Sequence, residues 1–210
     1  MKTSGRVWLA IVATVVADLV LFWPLTTAAL AFLRDRMRLY CSGGEGINCA
    51  DGIGYIFPGL GLWFWMSTLF FSTALAIALF GSRPMLATRV LSGVAVAGLA
   101  FTVIASLVAN AQRHPLDYIP ADTWLNLMGV PTLLFGAAVV PLTVAILSRS
   151  RVVIVGSLCG ALALVIAATI VEPSLAFGTT PVLAALVAAL LCATAPIVPV
   201  PVPDVSASQR

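Results

Sequence analysis

The sequence predicts an all-α integral membrane protein, a bundle of about six transmembrane helices with N- and C-termini cytoplasmic. Three observations carry that prediction. The chain is 61% hydrophobic and 9% charged, with a mean hydropathy of +1.09. A soluble domain carries about 25% charged residues, spread along its length. Here the charges gather at a few points and leave uncharged gaps at 7–17 and 19–33, 52–82, 90–112, 123–148, 152–171 and 173–203. A helix needs roughly 20 apolar residues to cross a hydrocarbon core of about 30 Å. Each gap accommodates one such helix once the first two are joined across Asp18.

The expected spans lie near 7–33, 58–80, 90–110, 125–147, 152–171 and 181–199, in a single polytopic domain over 1–199. A β-barrel would alternate apolar and polar residues over about ten positions. Val90–Ala109 and Val152–Val171 are instead apolar all round and rich in Ala, Leu and Gly, which suits packed helices.

The first span begins after Lys2 and Arg6. A cleaved signal peptide is the alternative, with Ala29-Leu30-Ala31 resembling a cleavage site. Signal cores are about 7–15 residues long. This stretch is longer, contains an aspartate and ends at Arg34, so a retained span is expected. Asp18 falls deep inside it. An aspartate at the centre of a membrane helix costs about 2.5–3.5 kcal/mol on insertion scales. Such residues face a bundle interior or a cavity and mark function by default. Helical spacing puts Thr14 and Thr26 on the same face, so Asp18, Thr14 and Thr26 form the expected intramembrane polar site. Three roles are open to Asp18: exchanging a proton, pairing with a partner's cation, or bonding a neighbouring helix as a neutral acid. Pro24 predicts a kink further along.

After the first span comes a loop with Cys41-Ser-Gly-Gly-Glu-Gly-Ile-Asn-Cys49. Its glycines let the chain fold back, and outside the cytoplasm Cys41 and Cys49 are expected to form a disulfide staple. Redox-active membrane thiols favour Cys-x-x-Cys, a spacing absent here. Cys159 and Cys192 fall inside spans and read as packing residues.

Pro131 and Pro141, with Gly129 and Gly136 beside them, are expected to interrupt the fourth span, as in the broken helices of transporters. Gly156-Ser-Leu-Cys-Gly160 is a small-xxx-small pattern, expected to serve internal helix packing. The loop before the fourth span gathers Arg113, His114, Asp117, Tyr118 and Asp122, and Glu45, Asp51 and Glu172 fall on the same side. One histidine among scattered acids is a poor ligand set, so this outer polar cluster reads as a solvated loop. Asp122-Thr123 reads as a helix N-cap. No metal site, catalytic residue or cofactor is expected.

Orientation rests on the basic residues. With the N-terminus inside, Lys2, Arg6, Arg83, Arg89, Arg149, Arg151 and Arg210 are cytoplasmic, against Arg34, Arg36, Arg38 and Arg113 outside. The positive-inside rule favours that arrangement, although the Arg34–Arg38 run opposes it. Tyr40, Tyr55, Tyr118 and Trp124 then form an outer aromatic belt beside the loop cysteines.

The cytoplasmic loops are too short for a soluble domain and hold no P-loop, which excludes ATP hydrolysis by this chain. Residues 200–210 are expected to be a flexible proline-rich tail. Arginine outnumbers lysine ten to one and alanine is abundant, pointing to a GC-rich bacterial genome and an inner membrane. The expected partners are the lipid bilayer and a membrane protein, or a second copy of the chain, and no nucleic acid. Functionally, an accessory or interaction subunit of a larger membrane complex ranks first. A small transporter or permease subunit using Asp18 as a proton or cation site follows, and a membrane enzyme using the outer loops comes last. An impermeant maleimide is expected to label Cys41 and Cys49 only after an impermeant reductant is added from outside. Labelling without reductant would remove the disulfide.

Overall fold

A computed structural model describes residues 3–36, 56–111 and 123–195. Six helices in it are long and apolar enough to cross a membrane, and the regular elements of the described residues are all helical. They are α1 (Thr3–Leu30), α2 (Ile56–Phe80), α3 (Pro84–Ala111), α4 (Thr123–Leu147), α5 (Arg151–Val171) and α6 (Ala176–Thr194). A π-helical turn, Ala31–Arg36, extends α1, and a 3₁₀ turn, Pro173–Leu175, joins α5 to α6.

α1 and α3 overrun their charge gaps, running through Arg6 and Arg89, because a charge ends the hydrocarbon stretch, not the helix. α3 starts at Pro84, where a proline's missing N–H would have no partner anyway, and runs on through Arg89. α6 starts five residues before Pro181 because the Glu172 side chain caps the preceding turn, accepting from the Ser174 N–H. It stops at Thr194, since Ala195 precedes Pro196 and is held extended (φ −54°, ψ 133°).

One expectation about proline does not hold. α4 is one continuous helix with Pro131 and Pro141 inside it. Each proline removes a single ladder donor, and Pro131 sits on the buried face where neighbouring helices hold the turn. α1 includes Pro24 within its α-helical range and passes into the π turn at Ala31.

Packing is organised around α3–α6. α4 packs on α5, α5 on α6, α6 on α3 and α3 on α4, closing a ring. Its centre is apolar and sealed: Leu91, Ala95, Met128, Ala138, Leu142, Leu158, Ala161, Val165, Ala185, Leu186 and Ala189 are all at 0% exposure. α2 lies against α3 and α6, and α1 lies outermost on α2, touching α6 at one end. The lipid-facing residues are the large ones, such as Leu19, Trp23, Phe64, Leu133, Val152 and Ile170, each at least 70% exposed. A belt of this extent on every helix far exceeds the few hundred Å² of a soluble monomer's apolar patches. The fold is that of a multi-pass membrane protein.

The closest approach joins α3 and α6. A Cβ on Gly98 would stand 2.5 Å from Val182 Cγ2 and 3.2 Å from Leu69 Cδ1. A Cβ on Gly178 would stand 2.6 Å from Thr102 Oγ1. Gly98 meets Val182 while Thr102, one turn on, meets Gly178, one turn back, so the two helices run antiparallel. The expected packing motif behaves oppositely. Gly156 and Gly160 are exposed, with nothing within 4 Å of a Cβ at either, so they serve no internal contact.

Gly98→Val and Gly178→Val are each expected to cost about 1–3 kcal/mol through overpacking, read as earlier thermal unfolding in detergent. Gly160→Ala is expected to leave stability unchanged or raise it by up to about 1 kcal/mol, because only helix propensity changes. A destabilised Gly160→Ala protein would place an unseen contact on that face.

Candidate functional site

The expected intramembrane site falls on α1, which packs on α2. Antiparallel pairing of these helices follows from three contacts. Trp65 stacks on Phe101 at 3.9 Å while Leu69 lies by Gly98, so α2 runs opposite to α3 and parallel to α6. Phe32 meets Phe177 at 5.3 Å while Arg36 meets Glu172, so α1 runs opposite to α6, and hence to α2. Phe22 of α1 then contacts Trp63 of α2 edge to face, ring centroids 6.4 Å apart. Asp18 lies one turn below Phe22, and Ser67 one turn below Trp63, so Asp18 and Ser67 share a depth on facing helices.

Several polar atoms at this level stand without partners. Along α3 the buried hydroxyls return to their own helix: Thr88 to Pro84, Ser92 to Thr88 and Thr102 to Gly98, each at 2.9 Å. The hydroxyls of Thr73 on α2 and Thr132 on α4, like Trp65 Nε1, are buried without a partner. Asp18 Oδ1, Ser67 Oγ and Trp63 Nε1 are buried and have no hydrogen-bond partner. One acceptor and two donors thus stand unpaired within about two turns of one helix seam. An unpaired buried polar group costs about 1–3 kcal/mol, more when charged.

The other members of the expected stripe are placed differently. Thr14 is buried and its hydroxyl donates to the Ala10 carbonyl at 2.8 Å, so its bonding capacity is spent locally. Thr26 is half-buried, two turns beyond Asp18. The buried line of α1 runs through Ala10, Thr14, Leu25 and Ala29, and Asp18, itself half-buried, lies on its border. The disulfide candidates Cys41 and Cys49 lie outside the described residues, as do Arg113, His114, Asp117 and Asp122 of the outer cluster. The free cysteines Cys159 and Cys192 lie on α5 and α6, the first exposed and the second half-buried. Among the described residues no group of His, Cys, Asp or Glu is arranged to hold a metal.

A second polar centre was not legible beforehand as a pair. The π turn carries Arg36 to Glu172, 136 positions away, at the α5–α6 turn. Arg36 Nε donates to both carboxylate oxygens at 3.2 Å, and Nη2 to Oε2 at 2.5 Å. Ser174 completes the set, donating its hydroxyl at 2.5 Å and its backbone N–H at 3.3 Å to Oε1. The Glu172 side chain is 4% exposed and that of Arg36 51%. Burial pushes the Glu172 carboxyl upward, but the hydrogen bonds from Arg36 and Ser174 and the guanidinium charge outweigh it and hold it below the usual range. Arg36 is held above its ordinary value by the hydrogen bond and charge of Glu172. The bundle is tied again where Trp124 Nε1 donates to Ser106 Oγ at 3.1 Å, joining α4 to α3. Trp124, expected in an interfacial belt, spends its N–H inside the protein.

No protein-family model, no curated protein and no solved structure matches this chain. The site must therefore be read from its own chemistry. It offers one carboxyl at mid-depth on the outermost helix, and a satisfied ion pair fastening that helix at one end.

Because the folded Glu172 carboxyl titrates below its unfolded value of about 4.3, the pair stabilises at neutral pH. That contribution is lost as pH falls from about 4 through the lower folded value. Arg36→Ala is expected to destabilise by about 1–3 kcal/mol, since it leaves a buried carboxylate short of donors. Adding Glu172→Gln should recover part of that loss and flatten the acid dependence of melting. Strictly additive losses in the double variant would show that the pair is not coupled.

Proposed function

We propose that this protein is an accessory or interaction subunit of a larger membrane complex, docking through α1 and α2. The carrying observation is the position of Asp18: an intramembrane carboxyl with Oδ1 unpartnered, on the outermost helix pair. An aspartate retained at that depth stabilises an assembly only when a donor or cation from another helix meets it. Ser67 and Trp63 on α2 leave two further unpaired polar atoms at a similar depth. The outward face of α1 supplies the apolar surround, with Trp8, Leu9, Val12, Leu19, Val20 and Trp23 each at least 55% exposed. The partner's matching element is a membrane helix with a polar or cationic side chain near mid-depth. The short loops, and an arginine-rich, alanine-rich composition typical of GC-rich bacteria, favour a bacterial inner membrane with both termini cytoplasmic.

The transporter reading draws on the same carboxyl, as a site for a proton or a small cation between α1 and α2. It gains nothing from the centre of the bundle, where the α3–α6 ring is filled by apolar side chains and the hydroxyls of α3 bond their own helix.

Purification of tagged protein from its native membrane in mild detergent should bring a stoichiometric membrane partner, identified by mass spectrometry. Asp18→Leu should release that partner while the chain itself still folds, and Asp18→Asn should retain part of the association. A homogeneous protein without a partner, whose proteoliposomes conduct protons or cations until Asp18→Asn stops the flux, would replace this reading with transport.

A further inference from the structure

Among the described residues, one end of the bundle carries arginines without acids. Arg6 opens α1 there, Arg83 lies in the α2–α3 turn, Arg89 in the second turn of α3, and Arg149 and Arg151 flank the start of α5. Bonds to helix ends fix two of them. Arg89 Nη2 donates to the Ser148 carbonyl at 3.3 Å and Arg151 Nη1 to the Ala195 carbonyl at 3.3 Å. Those carbonyls follow the ends of α4 and α6, where unpaired C=O groups and the helix dipole favour a cation. A neutral carbonyl cancels no formal charge, however. Among the described residues no Asp or Glu lies at this end: Asp18 is mid-span, and Asp35 and Glu172 are at the other. The bond from Arg89 to Ser148 also brings it beside Arg149, the next residue, so two guanidinium-bearing residues are neighbours, with no acid at this end among the described residues.

The surface directly beneath is apolar and open. Leu147 and Val152, which bracket the α4–α5 turn, are 74% and 83% exposed. Charge above and hydrocarbon below define an amphipathic anion as the complementary ligand. We propose that the phosphate of an anionic phospholipid headgroup binds at Arg89 and Arg149, with Arg83 at the same end of the bundle adding to the attraction, while its acyl chains lie along Leu147 and Val152. The guanidinium fork suits phosphate oxygens, and Arg89 keeps donors beyond the one given to Ser148. Such binding would seat this end in the more anionic leaflet. It is independent of the role given to Asp18.

The test uses the whole chain in nanodiscs mixing phosphatidylglycerol with phosphatidylcholine, followed by native mass spectrometry of the lipids retained on the protein. Retained lipid should be enriched in phosphatidylglycerol relative to the disc. Each arginine near an anionic surface strengthens attraction about fivefold, so R83Q/R149Q, which changes two exposed side chains, should cut the enrichment about tenfold or more. Its melting in pure phosphatidylcholine discs should be unchanged, which separates lost binding from lost folding. Retained lipid that mirrors the disc, or full enrichment in the double variant, would overturn the proposal. So would displacement of the lipid by millimolar inorganic phosphate, which would assign the site to a free anion.

Discussion

The close approach of α3 and α6 is the contact on which the other positions depend. A bilayer gives apolar helices no hydrophobic reason to leave lipid for one another, so close van der Waals packing must hold them. Gly98 and Gly178 supply it by admitting Val182 and Thr102 where a Cβ would stand. With that pair set, α4 and α5 close the ring on its far side. α2 fits against α3 and α6 on the near side, its Leu69 reaching the same Gly98. The place left to α1 is against α2, outside everything else. The peripheral position of Asp18 is therefore a consequence of two glycines on helices remote from it in sequence.

Hydrogen bonding divides the molecule in the same way. Water is absent from the hydrocarbon layer, so each buried donor and acceptor has to be met by protein. Along α3 the hydroxyls of Thr88, Ser92 and Thr102 meet that demand with carbonyls of their own helix, and Thr169 bonds both the Val165 carbonyl and Thr179. These bonds need no partner and carry no information about one. Ser67, Thr73 and Thr132 have the same local option and leave it unused, and of these Ser67 lies at the depth of an aspartate with a free oxygen. Polar groups left unmet are the ones a second molecule can recognise.

Six spans were legible because charge is excluded from hydrocarbon, and the gaps between charges record that exclusion directly. Asp18 was legible for the same reason, as the exception. The ends of the helices were less so, since α3 begins at Pro84 and carries Arg89 with its guanidinium turned to the α4 terminus. Which small residues pack was not legible at all. Gly156 and Gly160 satisfy a spacing rule but face outward, whereas Gly98 and Gly178 lie on different helices and form no local motif. Spacing along one helix reports a face, and only the fold says what that face meets. The ion pair escaped for a related reason. Arg36 and Glu172 are 136 positions apart, and the π turn that aims the arginine has no simple sequence signature.

The two ends of the bundle treat charge in opposite ways, and the contrast has a physical reading. At one end Glu172 is buried, and Arg36 with Ser174 satisfies both its oxygens, so that end holds a locally neutral pair. It ties the start of α6 to the end of α1, the helix with the least packing of its own. At the other end the arginines cap helix termini through neutral carbonyls and keep their charge. A paired charge acts on the fold, because its field is cancelled within a few ångströms. An unpaired cluster acts on what surrounds the protein, because its field extends over a Debye length of about 8 Å at physiological salt. α1 is therefore pinned at the neutral end by the pair and lies along α2 for the rest of its length. That leaves its outer face, with Asp18 at the border, accessible in the plane of the membrane while the arginine end is drawn to the headgroups.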